Sequence, residues 1–82
     1  MRFTVTWHPS AEAELAEIWL AAPDREAVTQ AVHAIDQLLA TEPLKLGEEF
    51  YGDRILVALP LAVTYTVNEQ DRTVQILQAW HR

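Results

Sequence analysis

Residues 53–82, DRILVALPLAVTYTVNEQDRTVQILQAWHR, decide the fold because they hold three runs in which side chains alternate between two faces. Period-2 alternation rich in β-branched residues is typical of strands. The clearest run is 61–68; it follows a run at 54–59 and precedes one that begins at Thr73. The connections are short and contain Pro60 or polar residues, so the stretch predicts a three-strand antiparallel meander.

Counting by parity divides this predicted sheet into a core face and an open face. The core face is expected to hold Ile55, Val57, Leu59, Leu61, Val63, Tyr65, Val67, Val74, Ile76 and Trp80. The open face is expected to hold Thr4, Thr6, Arg54, Leu56, Ala58, Ala62, Thr64, Thr66, Gln75, Leu77, Ala79 and His81. The open face is half apolar, which favours a partner surface or a second layer for another element.

The residues before this stretch predict one strand and two helices. Arg2 to Trp7 alternates as a strand. Ala11 to Ala22 and Arg25 to about Thr41 carry apolar residues at helical spacing, and Pro23 separates them. The two helices therefore form an antiparallel hairpin.

Capping residues support these helix limits. Pro9 suits the first helical turn, with either His8 or Ser10 near the cap. Asp24 can cap the second helix. Glu42 to Gly52 predicts a loop, in which the aromatic residues Phe50 and Tyr51 either pack or line a binding rim.

The element order is therefore β-α-α-β-β-β, which is an α+β fold. An antiparallel sheet is expected to carry the helix hairpin on one face. A chain of 82 residues makes a single small domain spanning residues 1–82.

Composition excludes several kinds of protein. Twelve acidic residues outnumber six basic ones, the net charge is −6, and there is no cysteine. The lack of cysteine rules out a disulfide framework and a thiol nucleophile, and it is compatible with the cytoplasm. Apolar runs are far shorter than the ~20 residues that cross a bilayer, so no membrane partner is expected. The bases are scattered rather than clustered, which disfavours stand-alone nucleic-acid binding.

Few residues suggest catalysis. On the predicted open face the only candidate acid–base pair is Arg54 with His81. Ser10 is the only serine and lies near a helix start, so a Ser-His-Asp triad is hard to build. No glycine-rich phosphate loop or metal motif is present, so no cofactor or metal is expected. His33 and the first-helix glutamates are expected to be solvated; these glutamates are Glu12, Glu14 and Glu17.

The sequence resembles the RelE/ParE superfamily of bacterial type II toxins over essentially its whole length. The matching pieces are VTWHPSAEAEL at 5–15, IDQLL at 35–39, Pro43, Gly47, RILV at 54–57, VTYTV at 63–67 and WHR at 80–82. The resemblance implies a partner antitoxin, and an activity that either cuts mRNA in the ribosome or inhibits DNA gyrase.

The ribonuclease branch of that superfamily implies a site of basic residues. Its first basic position matches Arg54 and its terminal Arg matches Arg82. Its second basic position falls at Leu56, and the Arg of the next strand falls at about Ala62. The family's C-terminal tail, which often holds a Tyr, has no counterpart after Arg82. Most of the charge that would stabilise a pentavalent phosphate is therefore missing.

Three hypotheses remain. The leading one is a toxin-family protein, ParE-like or catalytically lapsed, that acts by protein–protein binding and is neutralised by an antitoxin on its sheet or helix hairpin. The second is a ribosome-dependent mRNA endoribonuclease in which Arg54 holds the scissile phosphate, His81 moves a proton and Arg82 assists. The third is a non-toxic, self-associating binding module.

Overall fold

The computed structural model describes residues 2–50 and 52–82. This part of the chain forms two helices, α1 (Pro9–Ala21) and α2 (Arg25–Thr41). Its strands are β1 (Thr4–Trp7), β2 (Glu48–Phe50), β3 (Asp53–Ala58), β4 (Leu61–Asn68) and β5 (Thr73–His81). The predicted α+β order of one strand, a helix hairpin and a three-strand meander is confirmed.

The strands form one sheet in the order β1-β5-β4-β3-β2. Strands β3, β4 and β5 pair antiparallel, as short connections require. Strand β1 pairs parallel to β5, with Val5 beside Val74, so the sheet is mixed rather than wholly antiparallel. In the sequence, the helix hairpin and the other strands lie between β1 and β5. No local turn therefore determines whether these two strands pair parallel or antiparallel.

Strand β2 lies inside the segment from Glu42 to Gly52 that was expected to be a loop. It pairs antiparallel with β3, and Glu49 lies opposite Arg54. Three residues are too few to show a period of 2, which is why the sequence pattern does not reveal this strand. The expectations for the Phe50 side chain and for Tyr51 fall outside the described residues.

The facing of β3 is the reverse of the prediction. Leu56 is only 8% exposed and belongs to the core under the helices. The turn after Ala58 contains two residues, so Ala58 lies opposite Leu61 and Leu56 lies opposite Val63. Directly opposed residues share a face, and both Leu61 and Val63 are fully buried. Val57 consequently lies on the open face, 43% exposed.

A register shift in β5 reverses the facing of its last residues. Leu77 has no partner in β4, which is the pattern of a β-bulge. Beyond it, Ala79 is 2% exposed in the core, whereas Trp80 lies opposite Ala62 on the open face. The sequence prediction placed Ala79 and Trp80 the other way round because parity counting assumes an unbroken ladder.

Both helices begin at side-chain caps. His8 is the N-cap of α1, and its Nδ1 accepts a hydrogen bond from the Ser10 backbone N–H at 3.1 Å. Asp24 caps α2 as predicted, and its carboxylate accepts from the Ala27 N–H at 3.0 Å. The Pro23–Asp24 link therefore both ends α1 and starts α2. Neither helix is long and apolar enough to cross a membrane.

Helix α1 packs over β5 and also covers its edge. Strand β1 runs beside β5 only as far as Ile76, which leaves later backbone groups of β5 without a strand partner on that side. The half-buried Glu14 reaches this edge, where its Oε1 accepts from the Ala79 N–H at 3.3 Å. Glu14 is therefore a structural contact between helix and sheet rather than part of a solvated face.

Candidate functional site

Arg54, the first predicted catalytic residue, lies on the helix side of the sheet and not on the open face. It is half-buried in β3, opposite Tyr65. Its Nη1 donates a hydrogen bond to the Leu46 carbonyl at 3.2 Å. The guanidinium thus holds the segment before β2 against the sheet.

Tyr65 holds the same segment more firmly. Its fully buried side chain reaches the Pro43 carbonyl at 2.8 Å and the Leu46 carbonyl at 2.7 Å through the hydroxyl. Burial raises the pKa of the Tyr65 phenol, and the Arg54 charge opposes this to a lesser extent. The phenol is therefore neutral at physiological pH and acts as a hydrogen-bond donor.

Gly47 allows the backbone to approach this cluster closely. Its φ is +74°, a conformation that side chains disfavour. A Cβ at this position would lie 2.5 Å from the Ile55 carbonyl oxygen and 3.0 Å from the Tyr65 hydroxyl. The segment from Pro43 to Gly47 is thus fixed against the sheet by one glycine, one tyrosine and one arginine.

His81 and Arg82 lie beside the start of β4, whereas Arg54 lies opposite its middle. His81 pairs with Leu61 on the helix side, not on the predicted open face, and its exposed side chain lies near the end of α1. The Arg82 N–H donates to the Pro60 carbonyl at 2.8 Å. Leu61 and Tyr65 are four residues apart along β4, or roughly 13 Å. The structure therefore does not bring Arg54 together with His81 and Arg82.

An apolar groove with a volume of about 600 Å³ lies between α1 and α2. We call it the hairpin groove, and it is lined by Trp7, Glu12, Leu15, Ala16, Trp19, Leu20, Val28, Thr29, Val32 and His33. Leu20 is 65% exposed and Trp19 is 40% exposed. Two large apolar side chains in one open recess are typical of a protein-binding surface.

Trp7 joins the hairpin groove to the sheet. It lies in β1, packs partly against the core and also lines the groove. Its Nε1 donates a hydrogen bond to the Asp36 carboxylate at 3.1 Å. This bond satisfies the indole N–H and holds an acidic side chain of α2 near this part of the groove.

Arg25 lies at the end of the hairpin where α1 is linked to α2. Its Nε donates to the Trp19 carbonyl and its Nη2 to the Leu20 carbonyl, both at 3.1 Å. Its guanidinium carbon also lies 4.6 Å from the centroid of the Trp19 ring. Arg25 thus satisfies two terminal carbonyls of α1, which has no basic residue in its own last turn. The same contacts hold Trp19 in place at the groove.

The hairpin carries most of the net negative charge of the molecule. Residues 9–41 contain six carboxylates but only one arginine, Arg25, and no lysine. The carboxylates are Glu12, Glu14, Glu17, Asp24, Glu26 and Asp36. Of these, Glu12 lines the groove directly. The groove is therefore an apolar recess in a hairpin whose net charge is strongly negative.

Sequence reasoning named the hairpin as one possible docking surface but missed the groove residues. Leu20 lies outside the apolar stripe that includes Leu15 and Ile18, and this position is the feature of the sequence that indicates a second apolar surface on α1. A helix with apolar residues beyond its core-facing stripe has more apolar surface than its own fold buries. Trp19 extends the stripe, so its position in the sequence does not by itself indicate a groove.

No protein-family model and no curated protein matches the sequence, but solved structures match the fold. A chain of the RelBE2 toxin–antitoxin complex from Mycobacterium tuberculosis superposes with a TM-score of 0.84 at 21% identity, covering 100% of both chains. The chromosomal ParDE toxin–antitoxin system of P. aeruginosa gives a TM-score of 0.69 at 22% identity, covering 96% of this chain and 95% of that chain.

The archaeal RelE–RelB complex from Pyrococcus horikoshii gives a TM-score of 0.69 at 19% identity, covering 100% of this chain and 97% of that chain. All three similarities extend over nearly the full length of both chains, so they include the helix hairpin as well as the sheet. The chain therefore has the fold of the RelE/ParE-type toxins.

Proposed function

We propose that this protein is the toxin-family member of a type II toxin–antitoxin module, that it acts by protein–protein binding, and that a partner antitoxin neutralises it by docking in the hairpin groove. The observation that carries the proposal is the groove itself, with Trp19 and Leu20 exposed. The similar structures support it because one is named as a toxin–antitoxin complex, one as a toxin–antitoxin system and one as a RelE–RelB complex.

The geometry of the basic residues supports binding over RNA cleavage. A phosphodiester cleavage site needs several cations around one phosphate. Arg54 is instead bonded to the Leu46 carbonyl, while His81 pairs with Leu61, four residues along β4 from the partner of Arg54. The assignment of these three residues as catalytic stays a prediction. Primer extension on translated mRNA tests it, and His81→Ala is the informative variant because His81 is exposed.

A growth assay tests the proposed function. The chain is expressed from an inducible promoter in a bacterial host, alone and together with each short reading frame adjacent to its gene. We expect slowed growth with the chain alone, rescue by one neighbour, and recovery of the two proteins as a stable complex. Normal growth together with no complex would contradict the proposal and would favour the non-toxic module.

Two variants on the same helix test the groove as the docking site. Ala16 lines the groove, whereas Ala13 is exposed on α1 and does not line it. We expect Ala16→Arg to abolish complex formation and rescue, and Ala13→Arg to preserve both. Thermal melts that match the unmodified protein establish that both variants fold. Equal effects of the two substitutions would place the antitoxin elsewhere.

A further inference from the structure

A second recess, with a volume of about 560 Å³, lies where α1 begins beside the edge of β5 and extends over the open face of β4 and β3. We call it the polar recess, and it shares no lining residue with the hairpin groove. It is lined by two hydroxyls, two carboxylates, an imidazole, an amide and one leucine, which belong to Ser10, Thr64, Glu14, Asp53, His8, Gln78 and Leu77. All of these side chains except the leucine form hydrogen bonds, so the recess suits a polar ligand.

Thr64 is the buried polar residue of this recess. It is 9% exposed, and it lies opposite Ile55 in β3 and Gln78 in β5. Its hydroxyl has no hydrogen-bond partner among the residues that the structure describes, whereas every described side-chain nitrogen or oxygen that is fully shielded from solvent has one. The Thr64 hydroxyl is therefore reached from the recess. A ligand there would meet an unused donor and acceptor in a largely desolvated position.

Two carboxylates give the polar recess a negative charge. Asp53 is half-buried at the start of β3. Glu14 uses its Oε1 to accept a hydrogen bond from the Ala79 N–H, which leaves its second oxygen for a ligand. None of the described residues that line the recess is a lysine or an arginine. Neither carboxylate is therefore neutralised by a neighbour in the lining.

The start of α1 adds a hydrogen-bond acceptor and a weak opposing field. The His8 Nδ1 accepts from the Ser10 backbone N–H at 3.1 Å and from the Ser10 hydroxyl, whose oxygen lies 2.7 Å away. Because its proton is committed to His8, the Ser10 oxygen can only accept from a ligand. The N-terminus of a helix carries about half a positive charge, which favours anions. Two full negative charges outweigh it, so the recess favours a cation.

The spacing of the two carboxylates favours an extended cation over a metal ion. Among the described residues, no three His, Asp or Glu side chains lie close enough together to hold a metal. Asp53 lies in β3, whereas Glu14 contacts the edge of β5 at Ala79. Strand β4 runs between β3 and β5, so two strand spacings, on the order of 10 Å, separate the carboxylates. One ammonium group cannot contact both, but a chain with an ammonium group at each end can.

We infer that the polar recess binds a linear aliphatic polyamine whose terminal ammonium groups lie about 10 Å apart. Asp53 and the Thr64 hydroxyl hold one ammonium group. Glu14 and the Ser10 oxygen hold the other, and the aliphatic chain lies against Leu77. An ammonium group has three donors and no acceptor, which matches carboxylate and hydroxyl oxygens. This ligand site goes beyond the proposed function and does not depend on it.

Two diamines of equal charge test the length of the ligand. Heptanediamine and propanediamine carry an amine at each end, and only the longer one can span two strand spacings. Calorimetric titration of the full chain in low salt measures both affinities. We expect heptanediamine to bind at least about tenfold more tightly than propanediamine, with saturating NMR shifts of the Thr64, Leu77 and Gln78 amides. Equal affinities, or shifts spread over both helices without saturation, would overturn the inference.

Two substitutions that remove the same charge test the site. Asp53 lines the recess, whereas Glu17 is exposed on α1 and does not line it. We expect Asp53→Asn to weaken heptanediamine binding about fivefold or more, and Glu17→Gln to weaken it by less than about twofold. Equal effects of the two substitutions would show attraction to net charge alone and would contradict a built site.

A third comparison tests the buried hydroxyl. Thr64→Val keeps the shape of the side chain and should weaken heptanediamine binding about threefold, because one hydrogen bond to the ligand is lost. Thr66→Val, at an exposed position of the same strand outside the recess, should leave binding unchanged. Thermal melts that match the unmodified protein establish that each variant folds. If Thr64→Val binds as tightly as the unmodified protein, the assigned contact is wrong. If neither diamine binds while an adjacent-gene protein still rescues growth, this inference fails and the proposed function stands.

Discussion

At the scale of single residues, Tyr65 shows how a buried polar group fixes a connecting segment. Its hydroxyl contacts two carbonyls at 2.8 and 2.7 Å, and Arg54 contacts one of them at 3.2 Å. These bonds join the segment from Pro43 to Leu46 to the middle of the sheet. Arg54, which the sequence suggested as a phosphate ligand, is therefore also a structural residue.

We predict that Tyr65→Phe lowers the free energy of unfolding by about 1–3 kcal/mol, because the Pro43 and Leu46 carbonyls lose the single buried hydroxyl proton that they share. Urea denaturation followed by circular dichroism measures this. Thr66→Val is a suitable control, since the Thr66 side chain is exposed on the neighbouring position of β4. A Tyr65→Phe protein as stable as the unmodified one would contradict the role of the hydroxyl.

The same residue predicts a pH dependence. Burial raises the pKa of Tyr65 in the folded state above its value of 10.0 in the unfolded chain. The folded state therefore holds this proton more tightly. The resulting stability is fully present below pH 10 and is lost as the pH rises through the folded-state pKa. Denaturation between pH 9 and 11 should show a steeper loss in the unmodified protein than in Tyr65→Phe.

At the scale of elements, the sequence predicted the helices better than the facing of the strands. The limits of α2 are those read from its apolar spacing and from Asp24. The predicted facing of β3 was wrong because both of its faces carry apolar residues, so alternation alone does not show which face is buried. The two-residue turn after Ala58 indicates which face of β3 is buried, because it places Ala58 opposite the buried Leu61. The bulge at Leu77 has no comparable signal in the sequence.

The contact between α1 and the edge of β5 yields a second prediction. Glu14→Ala should lower the free energy of unfolding by about 1 kcal/mol, because the Ala79 N–H loses its acceptor. Glu17→Ala, at an exposed position three residues further along α1, should change it by less than about 0.5 kcal/mol. Thermal denaturation of both variants provides the comparison, and equal stabilities would show that water replaces the Glu14 carboxylate.

At the scale of the whole molecule, the charge could be predicted from composition but its placement could not. The net charge is −6, and the apolar groove lies between the two helices of the segment 9–41, which holds six of the twelve carboxylates. The groove depends on the separation of α1 and α2, and no periodicity within either helix determines that separation. Arg54 lies in β3 and Arg82 follows β5, and the fold does not bring these two bases together.

This charge distribution predicts weak binding to RNA. A labelled 20-nucleotide single strand should bind with a dissociation constant weaker than about 100 μM in 50 mM salt, because few phosphates would meet a basic side chain. Anisotropy titration with the full chain measures it. Micromolar binding would contradict the prediction and would return the ribonuclease hypothesis to consideration.

The position of Arg25 has a consequence for the speed of recognition. The only arginine of the hairpin lies against the carbonyls of Trp19 and Leu20 at the end of α1, and six carboxylates of residues 9–41 outnumber it. A cationic molecule diffusing nearby would feel attraction before contact, and such steering raises association rates by about 10- to 1,000-fold. Arg25 completes the end of α1, and the long-range negative field of the hairpin still favours encounters with cationic molecules.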